Sequence, residues 1–450
     1  MYKNMKKSAM SLVLASALVL TGCSGSDKTA EADKSVNEGT EIKEANNEAD
    51  EVKGENEAGA AGTEKTVLKY YTWMDEESYA SQIVDIFNQQ SEDIEVELNI
   101  IPSKDYPNKM LAMLTADADV DVMSINGIGQ YFQYSQGNAL CDLTDMISEK
   151  SVDIASYGPS FRELAIDGKY YSLPYRTMSF GLYYNKDLFD AKGIPYPENL
   201  NWEEYAEIAR ELTDKDAGVW GGFVSSGLNA PLMTSQMNSN FIDDDTTGIA
   251  AWLEYLNQLY SVDQSHMSFV DMKATSADGT KMFENGEVAM LLDGEWIVNM
   301  VEEAKDKGET DVNYGVATIP QLDKNGKKVT TGGVSTYVAI SDKCQNKEAA
   351  FEFVQFFAGK EAAKIIAENG VLPALVDDEI KDTFLNAKAV DGAESLLEYD
   401  AAYQEDCPVA NMSELKSIYS EEKELYLIGE KTIEETMDSY VKRRAEALNK

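Results

Sequence analysis

Hydrophobic periodicity switches repeatedly between residues 67 and 125, and this alternation constrains the fold more than any other feature. Val67 to Trp73 is a run of strand-forming residues. From Asp75 to Gln90, Tyr79, Ile83, Ile86 and Phe87 recur at helical spacing. Ile94, Val96, Leu98 and Ile100 then alternate with polar residues, which is the period of a strand. Met110, Leu111 and Leu114 mark a second helix, and Val120 to Ile125 a third strand. This order predicts a parallel sheet joined by right-handed crossovers. No glycine-rich phosphate loop follows the first strand, so a nucleotide site of the usual kind is not expected.

A second α/β unit follows. Leu182 to Tyr184 reads as a short strand, and Asn201 to Thr213 as a helix with Asn201 and Glu204 spaced as a capping box. Gly248 to Tyr260 is helical, with Trp252, Tyr255, Leu256 and Leu259 on one side. Val288 to Leu292 is a buried strand, Asp293-Gly294 a turn, and Glu295 to Lys307 a helix. Val312 to Ile319 and Ser335 to Ile340 are further strands. Helices close the chain at Lys347 to Ala358, Lys360 to Glu368 and Thr432 to Leu448, where Thr432 and Glu435 repeat the capping-box spacing. At 450 residues the chain has room for two or three domains.

Three blocks carry a family resemblance. The first is Leu173-Pro174-Tyr175-Arg176, then Tyr183 to Phe189 (Tyr-Tyr-Asn-Lys-Asp-Leu-Phe), then Asn201-Trp202-Glu203-Glu204. The second is Asp293-Gly294-Glu295-Trp296, followed by Val312 to Val316 and Ile319-Pro320. The third is Gly332-Gly333-Val334-Ser335, followed by Lys347 to Phe353. In this order they resemble the family 1 extracellular solute-binding proteins, the group of the maltodextrin binder and the multiple-sugar binders of ABC importers. The resemblance implies an α/β, two-lobe periplasmic-binding-protein fold of type II. Each lobe is then a mainly parallel sheet flanked by helices, with a ligand cleft between them. It places lobe one at 66–177 plus 332–375 and lobe two at 178–331 plus 376–450. The chain would cross between them near Arg176–Phe180, Thr330–Gly333 and Pro373–Val376.

The N-terminus has a different character. Lys3, Lys6 and Lys7 precede an apolar stretch from Ala9 to Leu20, too short for an ordinary membrane-spanning helix. Positive, apolar and small residues in that order are the layout of a signal peptide. Its end, Leu20-Thr21-Gly22-Cys23, resembles a bacterial lipobox, in which the cysteine is acylated and holds the protein to the outer face of the cell membrane without spanning it. The alternative is a plain signal peptide with an incidental cysteine. Residues 24–65 hold 12 acidic and 5 basic residues and no aromatic one. Such a segment buries too little apolar surface to offset chain entropy, and it reads as a disordered acidic tether. Cys141, Cys344 and Cys407 remain, allowing one disulfide or three free buried thiols, with no zinc spacing among them.

A net charge of −41 argues against binding nucleic acid or anionic lipid through a basic surface. It also argues against a highly anionic ligand, although local charge counts for more than the total. The single histidine, His266, weakens any His-based triad or metal site and is placed on the surface or in lobe two. Asp243-Asp244-Asp245 lacks the ligand spacing of a calcium loop and reads as a solvated turn. No metal or cofactor is expected.

A sugar offers C–H faces to aromatic rings and hydroxyls to carboxylates, amides and guanidinium groups, and charged partners bond more strongly than neutral ones. In open α/β sheets ligands lie beyond the carboxyl ends of strands. That rule selects Trp73, Asp75 and Glu76 after the first strand, and Asn126 and Gln130 after the third. Core packing for Trp73 and loop capping for Asn126 and Gln130 are the plainer readings. The resemblance adds Tyr175 and Arg176 at the crossing, where a structural salt bridge is the alternative for Arg176. It also places Trp296 at the family's sugar-stacking tryptophan, flanked by Asp293 and Glu295, with burial beneath its helix as the alternative. Gly332 and Gly333 suit a close approach of backbone to ligand or a tight turn. Asn411 lies where the family's last segment reaches the cleft. The implied function is capture of a carbohydrate, an oligosaccharide above all, by a monomer that delivers it to ABC permease subunits with a cytoplasmic ATPase. Presentation of ligand to a sensor is a second reading. A glycosidase using Asp293 and Glu295 is a third, since paired carboxylates serve as acid and base in such enzymes.

Overall fold

Strand-forming residues at Thr66–Trp73 become β1, and its neighbours follow from the same alternation. The computed structural model describes residues 65–449 except 117, 159–160, 162–163, 226–231, 238, 404–406, 408 and 410. The leader, Cys23 and all of the tether but Lys65 lie outside the described residues. The strands are β1 (Thr66–Trp73), β2 (Ile94–Ile101), β3 (Val122–Asn126), β4 (Leu173–Met178), β5 (Phe180–Asn185), β6 (Phe223–Val224), β7 (Met290–Gly294), β8 (Tyr314–Thr318), β9 (Val329–Thr331), β10 (Gly333–Ile340) and β11 (Ala401–Tyr403).

They form a five-stranded sheet ordered β2-β1-β3-β10-β4, a four-stranded sheet ordered β6-β7-β5-β8, and the pair β11-β9. β1 runs parallel to β2 and β3, as the alternation predicts. β10 is antiparallel to β3 and β4. In the second sheet β5 is antiparallel to β7 and β8, while β6 and β7 are parallel. Each sheet thus runs one way apart from a single reversed strand. The reversed strands are β5, which follows β4 through Ser179, and β10, which follows β9 through Gly332.

Two cores result. Tyr70 of β1 meets Phe353 and Phe357 edge-on at 5.3 and 5.1 Å, and Phe87 meets Phe353 at 5.1 Å, which ties helices Glu77–Gln90 and Lys347–Phe357 to the first sheet. Trp202, Tyr205 and Trp252 pack with Leu292 and Ala317 of the second. The helix Lys360–Glu368 serves both. Ala362, Ile365 and Ile366 join the first core, whereas Ala363 and Ala367 pack with Tyr183 and Ile297 of the second unit. Helices Met412–Leu427 and Ile433–Leu448 cover Phe241, Ile249 and Leu253. Both capping boxes form, at Asn201/Glu204 and Thr432/Glu435.

β4 is also the centre of a ribbon between the sheets. On one edge, Thr177 and Met178 pair with Val334 and Gly333 of β10. On the other, Thr177 N donates to Leu372 O and Ala374 N to Tyr175 O, each at 3.0 Å.

The turn expected at Asp293-Gly294 does not form. β7 continues through both residues because they pair with Gly181 and Phe180. The helix expected from Gly248 to Tyr260 ends at Asn257, and its last turn, Gln258–Val262, has π geometry. His266 is buried, with Nε2 2.9 Å from the Tyr205 hydroxyl and Nδ1 3.0 Å from the Ser265 hydroxyl. Cys141, Cys344 and Cys407 are buried and form no disulfide with one another. The Asp243 triplet is a turn: Asp243 accepts from Ser239 and Asn240, Asp245 caps Thr247, and Asp244 lies 3.5 Å from Arg444. No cluster of metal-ligating side chains occurs among the described residues. No helix among them is long and apolar enough to cross a membrane.

Candidate functional site

The Arg176 side chain points from β4 into the space where the two sheets meet, and two carboxylates converge on it. Its guanidinium lies 3.7 Å from Glu76 Oε1 and 3.4 Å from Glu295 Oε1. Glu76 belongs to the 3-10 turn Met74–Glu76 that ends β1, and it is wholly buried. Its Oε2 accepts from Thr72 Oγ1 at 3.1 Å and from the Tyr175 hydroxyl, whose oxygen also lies 3.0 Å from Ser124 Oγ. Burial raises the Glu76 pKa, while Arg176 and these hydroxyls pull it back down. Glu295 grips the crossing residue at both ends: its N donates to Ser179 O at 3.0 Å, and its Oε2 accepts from Ser179 N at 3.4 Å. One arginine therefore joins the end of β1 to the start of the helix Trp296–Asp306.

Trp296 opens that helix and is partly exposed. Its ring meets Phe180 edge-on at 5.8 Å and folds back over Gly294. Asp293 is buried at the end of β7. Burial raises its pKa, opposed by the Gly294 N–H, 2.7 Å away, and by the Ser225 hydroxyl. Ser225 also lines a cavity of ≈ 520 Å³ beyond the carboxyl end of β6.

The remaining candidates divide between surface, backbone turns and core. Asp75 and Asn126 are exposed at the ends of β1 and β3. Gln130 Oε1 accepts from Asn126 N at 3.2 Å, so it closes the loop before the helix Ile128–Gln136. Gly332 has φ +109 and lies against Met178, where a Cβ would come within 2.9 Å of its Cγ; Gly333 opens β10 opposite the same methionine. Trp73 is a core residue, 6% exposed and edge-on to Tyr106 at 5.2 Å. Tyr175 is likewise buried. Asn411 is not drawn into this cluster; its amide donates to Ala447 O at 2.6 Å, tying the two last helices together.

The profile of the bacterial extracellular solute-binding proteins matches residues 71–364. The chain belongs to this family. It is 24% identical to the melibiose/raffinose/stachyose-binding protein MelE of Bacillus subtilis over 351 residues, 73% of this chain and 78% of that one. It is 31% identical to the maltooligosaccharide ABC transporter solute-binding lipoprotein of Streptococcus pneumoniae over 212 residues, 45% of this chain and 48% of that one. Among solved structures it resembles an ABC substrate-binding protein of Listeria monocytogenes in complex with cycloalternan, at 25% identity and a TM-score of 0.72 over 86% of this chain and 100% of that one. The two sheets, each with one reversed strand, are those of the type II periplasmic-binding-protein fold.

The crossing in this solute-binding protein also depends on residues that sequence reasoning passed over. Lys388 is wholly buried and donates to Glu295 O at 3.1 Å and Asn299 Oδ1 at 2.8 Å, within the first turn of the Trp296 helix. Burial and the Arg176 charge lower its pKa to about 8, against the pull of Glu295. Tyr399 bridges Phe180 O and Ile319 N at 2.6 and 2.8 Å. Neither residue belongs to a motif, and burial of a lysine arises only from tertiary packing.

Proposed function

We propose that this solute-binding protein captures an oligosaccharide between its lobes and delivers it to an ABC importer. The observation that carries the reading is the partly open ring of Trp296 where the chain passes between sheets, supported edge-on by Phe180. An open ring suits the C–H face of a sugar. The relatives named for melibiose, raffinose, stachyose and maltooligosaccharides, and the neighbour holding cycloalternan, support the same ligand class.

Lobe one is assigned to 66–177 plus 332–375 and lobe two to 178–331 plus 376–450. Trp296, Asp293, Asp75, Asn126, Gln130, Gly332 and Gly333 are assigned to the ligand side of the crossing. Glu76, Tyr175, Arg176 and Glu295 hold the crossing itself. Binding is favoured over catalysis because Asp293 and Glu295 are both buried and engaged, one with Gly294 and Ser225, the other with Arg176 and Ser179. Acylated Cys23 would anchor the protein to the outer face of the membrane, with residues 24–65 as the stalk.

A thermal-shift screen of residues 66–450 over mono- and oligosaccharides tests the reading, because a ligand of the folded state raises its melting temperature. A rise with at least one saccharide is expected. No response to any saccharide at millimolar concentration would overturn it. For the anchor, Cys23→Ala should abolish normal processing and membrane retention.

A further inference from the structure

The cavity beside Asp293 has a charge pattern opposite to that of the chain. Trp252, Tyr260, Phe269 and Met272 give it apolar walls. Among the described residues lining it, both charged ones are cationic, Lys273 and Lys423, and none is Asp or Glu. The chain as a whole carries 80 acidic and 39 basic residues, so an all-cationic lining is unexpected by composition.

The two lysines are not equivalent. Lys273 is well exposed and paired with Glu424 at 3.2 Å, a surface ion pair of small worth. Lys423 is partly buried, and its ammonium stands 5.3 Å from the centre of the Tyr419 ring. No carboxylate lies within ion-pair distance of it among the described residues; its neighbour Glu424 is turned to Lys273. Burial and the Lys273 charge push its pKa down to about 8, with Glu424 opposing, so it is still charged at neutral pH. A partly desolvated ammonium without an anion is unfavourable, and a ligand anion would relieve it.

We propose that the cavity takes an acidic saccharide, with a sugar ring against the partly exposed Phe269 and a carboxylate set against Lys423. This deepens the oligosaccharide reading and rests on it. A volume of ≈ 520 Å³ falls within the usual range for small-molecule sites. The ligand carboxylate would complete a trio with Lys423 and Lys273, while Ser225 links the cavity to Asp293 at the crossing.

Titration calorimetry at pH 7 with maltotriose and with trigalacturonate tests the proposal, on the wild type, Lys423→Met and Lys273→Met. Trigalacturonate should bind at least about tenfold tighter than maltotriose, the scale of one charge-assisted hydrogen bond. Lys423→Met should bring the two affinities together, and Lys273→Met should narrow the gap less. A melting temperature at or above that of the wild type would show that Lys423→Met still folds. Maltotriose binding as tightly as trigalacturonate, or a gap untouched in both variants, would overturn the acidic-ligand proposal and leave the oligosaccharide reading standing. Failure of both saccharides to bind, together with a silent thermal-shift screen, would overturn both.

Discussion

Trp296 owes its position to Gly294. A Cβ on Gly294 would fall 2.2 Å from the indole ring, so only glycine lets the ring fold back over the end of β7. Phe180 then supports it edge-on, leaving part of the ring open. Truncating an aromatic anchor typically costs about 2 kcal/mol or more. Trp296→Ala should therefore weaken saccharide binding by about 30-fold, read by calorimetry, with the circular dichroism spectrum unchanged. Unaltered affinity would remove the stacking role, and a collapsed melting temperature would return the ring to the core. His266 gives a prediction of a different kind. Burial lowers its pKa to about 3, against about 6.5 in an unfolded chain. Below pH 6.5 the unfolded chain takes up a proton that the folded protein refuses. Stability from this residue is thus complete above pH 6.5 and is lost as pH falls toward 3. At pH 4.5 the loss is about 2–3 kcal/mol. Denaturant titrations of the wild type and His266→Asn at pH 7 and 4.5 should show a smaller acid loss in the variant; equal losses would show that the imidazole charges in the fold.

β4 does more than complete a sheet, because Arg176 on it faces carboxylates from both sides of the crossing. Removing one partner of a buried ion pair costs about 3–5 kcal/mol, chiefly through the charge left behind, and partial exposure of Arg176 puts the cost here at the low end. Arg176→Met should therefore cost about 3 kcal/mol in denaturant unfolding, and adding Glu76→Gln should recover part of it. Simple additivity of the two substitutions would mean that the pair is not coupled. The elements that sequence reading found are those whose cause is local. Asn201/Glu204 and Thr432/Glu435 advertise their helices within four residues, and β1, β2 and β3 carry their own alternation. β6, β9 and β11 are two or three residues long, too short to show a period. Asp293-Gly294 looks like a turn by composition, and it is extended only because β5, more than a hundred residues earlier, pairs with it. The candidate site divides the same way. Trp296 and Arg176 enter the candidate set through their motifs, whereas the burial of Glu76 and Lys388 follows from packing between distant segments.

At the scale of the molecule, one helix touches both cores and one ribbon carries the chain between them. Ala363 and Ala367 of the helix Lys360–Glu368 bring it close to the second unit, so any closure must work around that contact and the crossing at Ser179. Residues 24–65, with 12 acidic and 5 basic residues and no aromatic one, should contribute nothing to folding or binding. A protein beginning at Thr66 should match one beginning at Ser24 in melting temperature and affinity, and a difference above about 1 kcal/mol would show that the tether packs on the body. The central claim is that two lobes close over a saccharide. Small-angle X-ray scattering of residues 66–450, with and without the saccharide that gives the largest thermal shift, tests it most directly. The radius of gyration should fall on saturation in the wild type. A radius of gyration that stays constant while calorimetry shows the site filled would contradict capture by closure.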